Sequence, residues 1–122
     1  MNKYQHLFSP IKIGTVEVPN RIALLPMGVF SPRMMNNDGS YTKDGADYYI
    51  ERAKGGTGLI ITGLVPVPKG AGLPSIVNDV KSYTENMKYL ADGVHKYGSK
   101  VFVMLTAMSG SCLLYTSPSP RD

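Results

Sequence analysis

Cysteine is nearly missing: Cys112 stands alone in 122 residues. One thiol cannot build an internal disulfide framework, and it excludes a multi-cysteine zinc or iron–sulfur site within this chain. No apolar run reaches membrane-spanning length. Met1 to His6 lacks the apolar region of a signal peptide, so the cytoplasm is the expected compartment. Runs of one charge are absent too. The 13 Lys+Arg and 9 Asp+Glu are scattered and leave a net charge of +4. Neither a nucleic acid nor a membrane is therefore expected as a partner. No His/Cys/Asp cluster supports a metal, and no P-loop pattern occurs.

What is present suits a folded core. Hydrophobic residues make up 43% and charged residues 18%, which is not a disordered composition. Gly 13 and Pro 9 make the chain loop-rich without low complexity. The length fits one small domain or part of a larger one.

Ile11 and Ile13 alternate, Gly14-Thr15 can turn, and Val16 and Val18 alternate again, which predicts a hairpin. Arg21 to Leu25 predicts a short strand stopped by Pro26, and Met27 to Lys43 a long connection. Lys43 to Lys54 predicts a helix capped by Thr42, with Asp44 in its first turn. Ala46, Tyr49, Ile50 and Ala53 share one face of it. Gly55 and Gly56 offer a positive-φ exit. Leu59 to Leu64 predicts a strand buried on both faces. Ser82 and Glu85 have capping-box spacing ahead of a helical stripe of Met87, Leu90, Ala91, Val94 and Tyr97, which Gly98 ends. Lys100 to Leu105 predicts a third strand. Hairpin, strand, helix, strand, helix, strand is a parallel α/β order with right-handed crossovers. Three strands and two helices complete neither an open doubly wound sheet nor an eight-stranded barrel.

Gly55-Gly56-Thr57-Gly58 invites a nucleotide-binding reading. A dinucleotide fingerprint follows a strand and opens a helix; these glycines follow a helix and precede a strand, which favours a helix stop and tight turn. Gly70-Ala71-Gly72 lies in a loop and lacks the fingerprint. Ligands of parallel α/β folds gather at the carboxyl ends of strands, here Pro26-Met27-Gly28, Thr62-Gly63-Leu64 and Met104-Leu105-Thr106. Gly28 would let backbone approach a flat ligand, Met27 is polarizable enough to pack on an aromatic ring, and Gly63 leaves room. Strand ends and core filling explain the same residues. His6 and His95 read as surface or packing residues. Asp44, Asp47 and Glu51 read as solvated helix charges. Tyr41, Tyr48 and Tyr49 read as helix and loop packing ahead of an active-site rim.

Leu7-Phe8-Ser9-Pro10, Ile13-Gly14, Asn20-Arg21-Ile22 and Pro26-Met27-Gly28 resemble the opening of the old yellow enzyme family of flavin oxidoreductases. Tyr48-Tyr49 to Arg52-Ala53, Gly55 to Thr62, and Lys100-Val101-Phe102-Val103 continue the likeness, which covers about Tyr4 to Gly110. It looks closest to the branch of 2,4-dienoyl-CoA reductase and bile-acid-inducible NADH:flavin oxidoreductases. The resemblance implies the first strands and helices of an incomplete TIM (β/α)8 barrel, the hairpin closing its bottom, with FMN above the strand ends and NAD(P)H as reductant of an activated carbon–carbon double bond. It implies flavin contacts from Pro26, Met27, Gly28, Gly63, Leu64 and the position of Met104. The family usually has glutamine at that last position, and methionine cannot donate the bond glutamine gives the pyrimidine edge. The glycine and arginine pattern usual around Met108 and Ser111 is also lost. The proton donor and main phosphate-binding groups lie in later parts of the barrel, so no residue here is assigned as catalytic. Larger members add a 4Fe-4S cluster and FAD, also beyond this stretch. The inner barrel face is expected along Ile22, Leu24, Ile60 and Val101 or their alternating neighbours. A small flavodoxin-like or phosphate-binding α/β module without catalysis is the alternative.

From Cys112 to Asp122 the sequence is a Ser/Pro tail in place of the expected third helix. It resembles a recurrent translated adapter or vector sequence. The expected division is residues 1–110 as the N-terminal part of an FMN-binding barrel and 111–122 as a non-native tail, which gives Cys112 almost no weight as a nucleophile.

Overall fold

In the computed structural model, which describes residues 4–27, 31–67, 75 and 79–106, the expected hairpin forms first. Ile11–Ile13 (β1) and Val16–Val18 (β2) pair antiparallel, Ile11 opposite Val18 and Ile13 opposite Val16. Val18 is its buried member. Gly28, Met108, Ser111, Cys112, the rest of the Ser/Pro tail and Gly70-Ala71-Gly72 lie outside the described residues.

A separate sheet carries β3 (Ala23–Leu24), β4 (Leu59–Pro66) and β5 (Lys100–Thr106) in the order β3-β4-β5, both pairings parallel. β3 is shorter than the apolar run 21–25 suggests. The Ile22 amide is taken by the Asn20 side chain, Oδ1 at 3.0 Å, rather than by a ladder. Pro26 supplies no N–H at the other end. β4 runs two residues beyond Leu64, because its register shifts between Ile61 and Leu64 and the pairing then resumes on β5.

Helix α1 (Lys43–Lys54) has the predicted bounds and cap: the Thr42 hydroxyl accepts from the Gly45 amide at 3.1 Å. Gly56, φ 97°, makes the left-handed turn out of it. Helix α2 (Val80–His95) begins earlier than its Ser82–Glu85 spacing predicts. Its cap is Asp79, whose carboxylate accepts from the Ser82 amide at 3.0 Å, so Ser82 is already helical. A carboxylate at the N-cap also meets the positive end of the helix dipole, which a serine does not. α2 ends at His95, before Tyr97, which is 42% exposed and off the stripe.

The core lies between the two helices and one face of the sheet. Ala46, Tyr49 and Ala53 of α1 meet Leu90 and Val94 of α2 over Ile60 and Val65 of β4. Leu24 and Val101 pack against this cluster. Strand residues alternate between faces, so Ala23, Ile61 and Phe102 point away from the helices, as do Leu64 and Met104 once the register shift is counted. The open face is therefore carried by the alternating neighbours and not by Leu24, Ile60 and Val101. Within Leu59 to Leu64 the side away from the helices is only half-buried, at Ile61 and Leu64, where burial on both faces is expected; Pro66 beyond it is buried.

Candidate functional site at the strand ends

Three segments converge where the parallel strands end. Pro26 and Met27 follow β3, Pro26 half-buried and Met27 62% exposed. Leu64 of β4 stands opposite Met104 of β5, both half-buried and on the face the helices leave open. The structure thus brings together Leu64 and Met104 directly. Gly63 is buried just before Leu64. Gly63, Leu64 and Met104 lie inside their strands, not past the ends, because β4 continues to Pro66 and β5 to Thr106. The resulting surface is apolar, with a thioether at each flank, and suits the broad face of a planar ring more than a compact anion.

Beneath it lies a buried hydroxyl network that sequence reading treated as plain packing. The Gly63 amide donates to Tyr49 Oη at 2.9 Å, and the Gly63 carbonyl accepts from Tyr41 Oη at 3.1 Å. Tyr49 donates in turn to Tyr41 across 3.3 Å. Thr62 Oγ1 donates to the same carbonyl at 3.1 Å and accepts from the Met104 amide at 3.3 Å. The rings of Tyr41 and Tyr49 meet edge to face with centroids 5.0 Å apart. Burial first, then the Tyr49 hydrogen bond, pushes the Tyr41 phenol far above its ordinary range. It remains an O–H donor at any working pH.

A second polar node joins the connection before α1 to the start of α2. Asp38 is buried and accepts from the Ser40 amide at 2.8 Å and from the Ser40 hydroxyl. Asn86 of α2 and Asn36 both donate to Ser40 Oγ at 3.0 Å. Burial alone would raise the Asp38 carboxyl, but the bonds from Ser40, Ser82 and Asn86 together hold it below its ordinary value. A cavity of about 520 Å³ lies here, lined by Asp38, Lys43, Asp79, Ser82 and Asn86 among others. Every buried side-chain polar atom among the described residues has a partner, so the node reads as a brace.

The remaining polar candidates stay on the surface. His6 and His95 are exposed. Asp44 pairs with Arg33 at 3.0 Å, Asp47 pairs with Lys43 and Glu51 with Lys54, all at exposed sites worth little energy. Among the described residues no group of three His, Cys, Asp or Glu is placed to hold a metal, and no helix is long and apolar enough to cross a membrane.

The family model described as NADH:flavin oxidoreductase / NADH oxidase family matches residues 6–121. This chain belongs to that family. Among its relatives, the cinnamate reductase of Clostridium sporogenes is 42% identical over 116 residues, covering 89% of this chain and 17% of that protein. The NADH oxidase of Thermoanaerobacter brockii is 37% identical, covering 86% of this chain and 16% of that protein. The crystal structure of Old Yellow Enzyme from Pichia sp. AKU4542 superposes with a TM-score of 0.66 and 31% identity, over 82% of this chain and 26% of that one. The chain therefore spans about a sixth of the two relatives' length. The fold is the opening hairpin and first parallel β/α units of the old yellow enzyme barrel.

Family membership gives the glycine-rich turn its place. Gly55 to Gly58 sits at the amino end of β4, opposite the strand ends where a flavin family holds its ligand. Asn20 Nδ2 donates to the Gly56 carbonyl at 2.8 Å, and a Cβ on Gly58 would lie 2.4 Å from Asn20 Oδ1. Gly58 serves close packing under the sheet, while the positive-φ helix exit falls to Gly56 alone, since Gly55 keeps a helical φ of −73°.

Proposed function

We propose that the protein carrying this chain is an FMN-dependent NAD(P)H oxidoreductase that reduces activated carbon–carbon double bonds, of enoate or dienoyl-CoA type. The observation that supports this most directly is the open apolar surface of Met27, Leu64 and Met104 at the carboxyl ends of three parallel strands. Pro26, Met27, Gly28, Gly63, Leu64 and Met104 contribute contacts to the flavin ring. The residues fit the ring: apolar side chains, half-buried at Pro26, Leu64 and Met104 and exposed at Met27, and backbone, with no side chain that must be charged. When bound, FMN supplies the hydride chemistry between NAD(P)H and the alkene. The residues of this chain hold and orient the ring and keep water from one side of it. The phosphate, the proton donor and, in a larger member, a 4Fe-4S cluster and FAD belong to other parts of the protein. The reductase named for cinnamate and the likeness to the dienoyl-CoA reductase branch both favour a conjugated alkene.

Met104 cannot donate to the pyrimidine edge as a glutamine would, so this protein anchors the ring by packing at that point. The decisive experiment is fluorescence titration of the full-length apoprotein with FMN, with wild type compared against Met104→Gln and Met104→Glu. Wild type binds one FMN, the glutamine variant binds at least as tightly, and the glutamate variant loses affinity. A full-length protein that takes up no FMN, or a glutamate variant equal to wild type, defeats the assignment.

Residues 1–110 are proposed as barrel and 111–122 as a non-native tail. The family match runs to residue 121, so the boundary rests on the tail's own Ser/Pro sequence. Sequencing the genomic locus past the codon for Gly110 decides it, and a native stop after Asp122 overturns it.

A further inference from the structure

The β4 register shift leaves one residue without a rung. Ile61 pairs with Phe102 and Leu64 with Met104, so Thr62 and Gly63 together face the single residue Val103. Such a bulge leaves backbone groups unpaired and bends the strand. Gly63 is buried, and buried N–H and C=O groups must find partners.

The amide's partner and one of the carbonyl's two partners are tyrosines from outside the sheet. The donors run one way round a closed ring: Gly63 N–H to Tyr49, Tyr49 O–H to Tyr41, Tyr41 O–H to the Gly63 carbonyl. Tyr49 belongs to α1 and Tyr41 to the connection before it. The bulge decides what the ligand end of the sheet displays. Without the extra residue, side-chain alternation would turn Leu64 to the helix side and bring Gly63 opposite Met104. With it, Leu64 and Met104 share the open face.

We infer that Tyr41 and Tyr49 are positioning residues, a substitute rung that fixes the β4 bulge and so sets the Leu64–Met104 edge against the flavin. This rests on the FMN reading above. The two tyrosines do not contribute equally. Tyr49 is the partner of the Gly63 amide, whereas the Gly63 carbonyl keeps Thr62 Oγ1 if Tyr41 is lost.

The test uses the full-length FMN-loaded protein with Tyr49→Phe, Tyr41→Phe and, as a control, Ala53→Gly, which loosens α1 in the core without touching the ring. Two readouts are taken: amide exchange at Gly63 by NMR or mass spectrometry, and FMN affinity with the visible flavin spectrum. Leaving a buried amide unpaired costs enough to predict about tenfold faster Gly63 exchange and about tenfold weaker FMN binding in Tyr49→Phe, and about threefold or less in Tyr41→Phe. The flavin spectrum shifts in Tyr49→Phe and not in Ala53→Gly. Unchanged Gly63 exchange in Tyr49→Phe overturns the rung. FMN affinity lost equally in Ala53→Gly at matched melting temperature overturns the coupling to the flavin. A wild type that holds no FMN overturns the functional reading and that coupling with it, and the Gly63 exchange rates then decide the rung alone.

Discussion

The 122-residue chain, expressed alone, is expected to self-associate and to hold no stoichiometric FMN. Among the described residues the parallel sheet has three strands, so each outer strand presents an unpaired edge. Its apolar surface is left incompletely covered: Leu25 is 67% exposed, Met27 62%, Leu105 59%, and Phe102 and Val103 38% each. Fully burying a large apolar side chain contributes about 1.5–3 kcal/mol. At these exposures roughly 1 kcal/mol per residue is forgone, about 5 kcal/mol over the five. A domain's whole net stability is about 5–15 kcal/mol. The deficit is therefore comparable to the stability itself, and a second copy of the chain can recover part of it through the same edges. Gel filtration with light scattering, at several concentrations and with excess FMN, measures both consequences. The expected result is a concentration-dependent mass above 13.3 kDa, binding of a hydrophobic dye, and flavin that elutes free. A sharp monomer peak carrying one FMN per chain, with NADH oxidation above the free-flavin background, would refute this reasoning at its first step, because closure would then be unnecessary.

Three further outcomes follow from local geometry and apply to the full-length protein. Gly58→Ala places a Cβ 2.4 Å from Asn20 Oδ1 and 2.9 Å from the Asn20 carbonyl; thermal melting should show a loss of about 1–3 kcal/mol with little change in FMN affinity. Asp79→Ala should cost about 1 kcal/mol in urea denaturation because it removes the cap of α2, while Glu85→Ala should cost next to nothing; the reverse ranking would restore the Ser82–Glu85 start. The Asp38 carboxyl is held below its ordinary value of 3.8, so it is the depressed-carboxylate case: its contribution is present above pH 3.8 and is lost as pH falls through the lower folded value. An Asp38→Asn variant should flatten the acid limb of the melting-temperature profile, and an unchanged limb would remove Asp38 from the brace.

Much of this fold is legible in the sequence because its signals are local. The hairpin needs only Ile11 to Val18, and α1 needs only Thr42, a four-residue periodicity and the glycines after Lys54. The Ser82–Glu85 spacing misplaces the start of α2 for an equally local reason. Asp79 and Ser82 carry the same three-residue spacing as Ser82 and Glu85, and the earlier pair wins because a carboxylate caps a helix well and an earlier start adds a turn. The candidate site is legible only in part. Strand-end positions follow from the α/β order, which points to Pro26, Met27, Leu64 and Met104. The bulge at Gly63 does not follow, since it exists only in the pairing of β4 with β5, and its tyrosine partners are 22 and 14 residues away in sequence.

The two ends of the sheet divide the work between them. At the amino ends, Asn20 bridges the Gly56 carbonyl and the Ile22 amide, and Gly58 and Leu59 both donate to the Ile22 carbonyl. That end is closed by hydrogen bonds from the backbone and from the Asn20 side chain. At the carboxyl ends the backbone departs from a regular ladder, and the repair is made from the helix side by tyrosine hydroxyls, leaving the other side free. A regular sheet would need no such repair, but it would display Gly63 where Leu64 now stands. The buried Tyr41 phenol, pushed far above its ordinary range by burial, is suited to the task, because a rung made of a titratable carboxylate would let the edge vary with pH. The irregularity in β4 is thus where the stability of the fold and the shape of the surface proposed to meet the flavin are set by the same atoms.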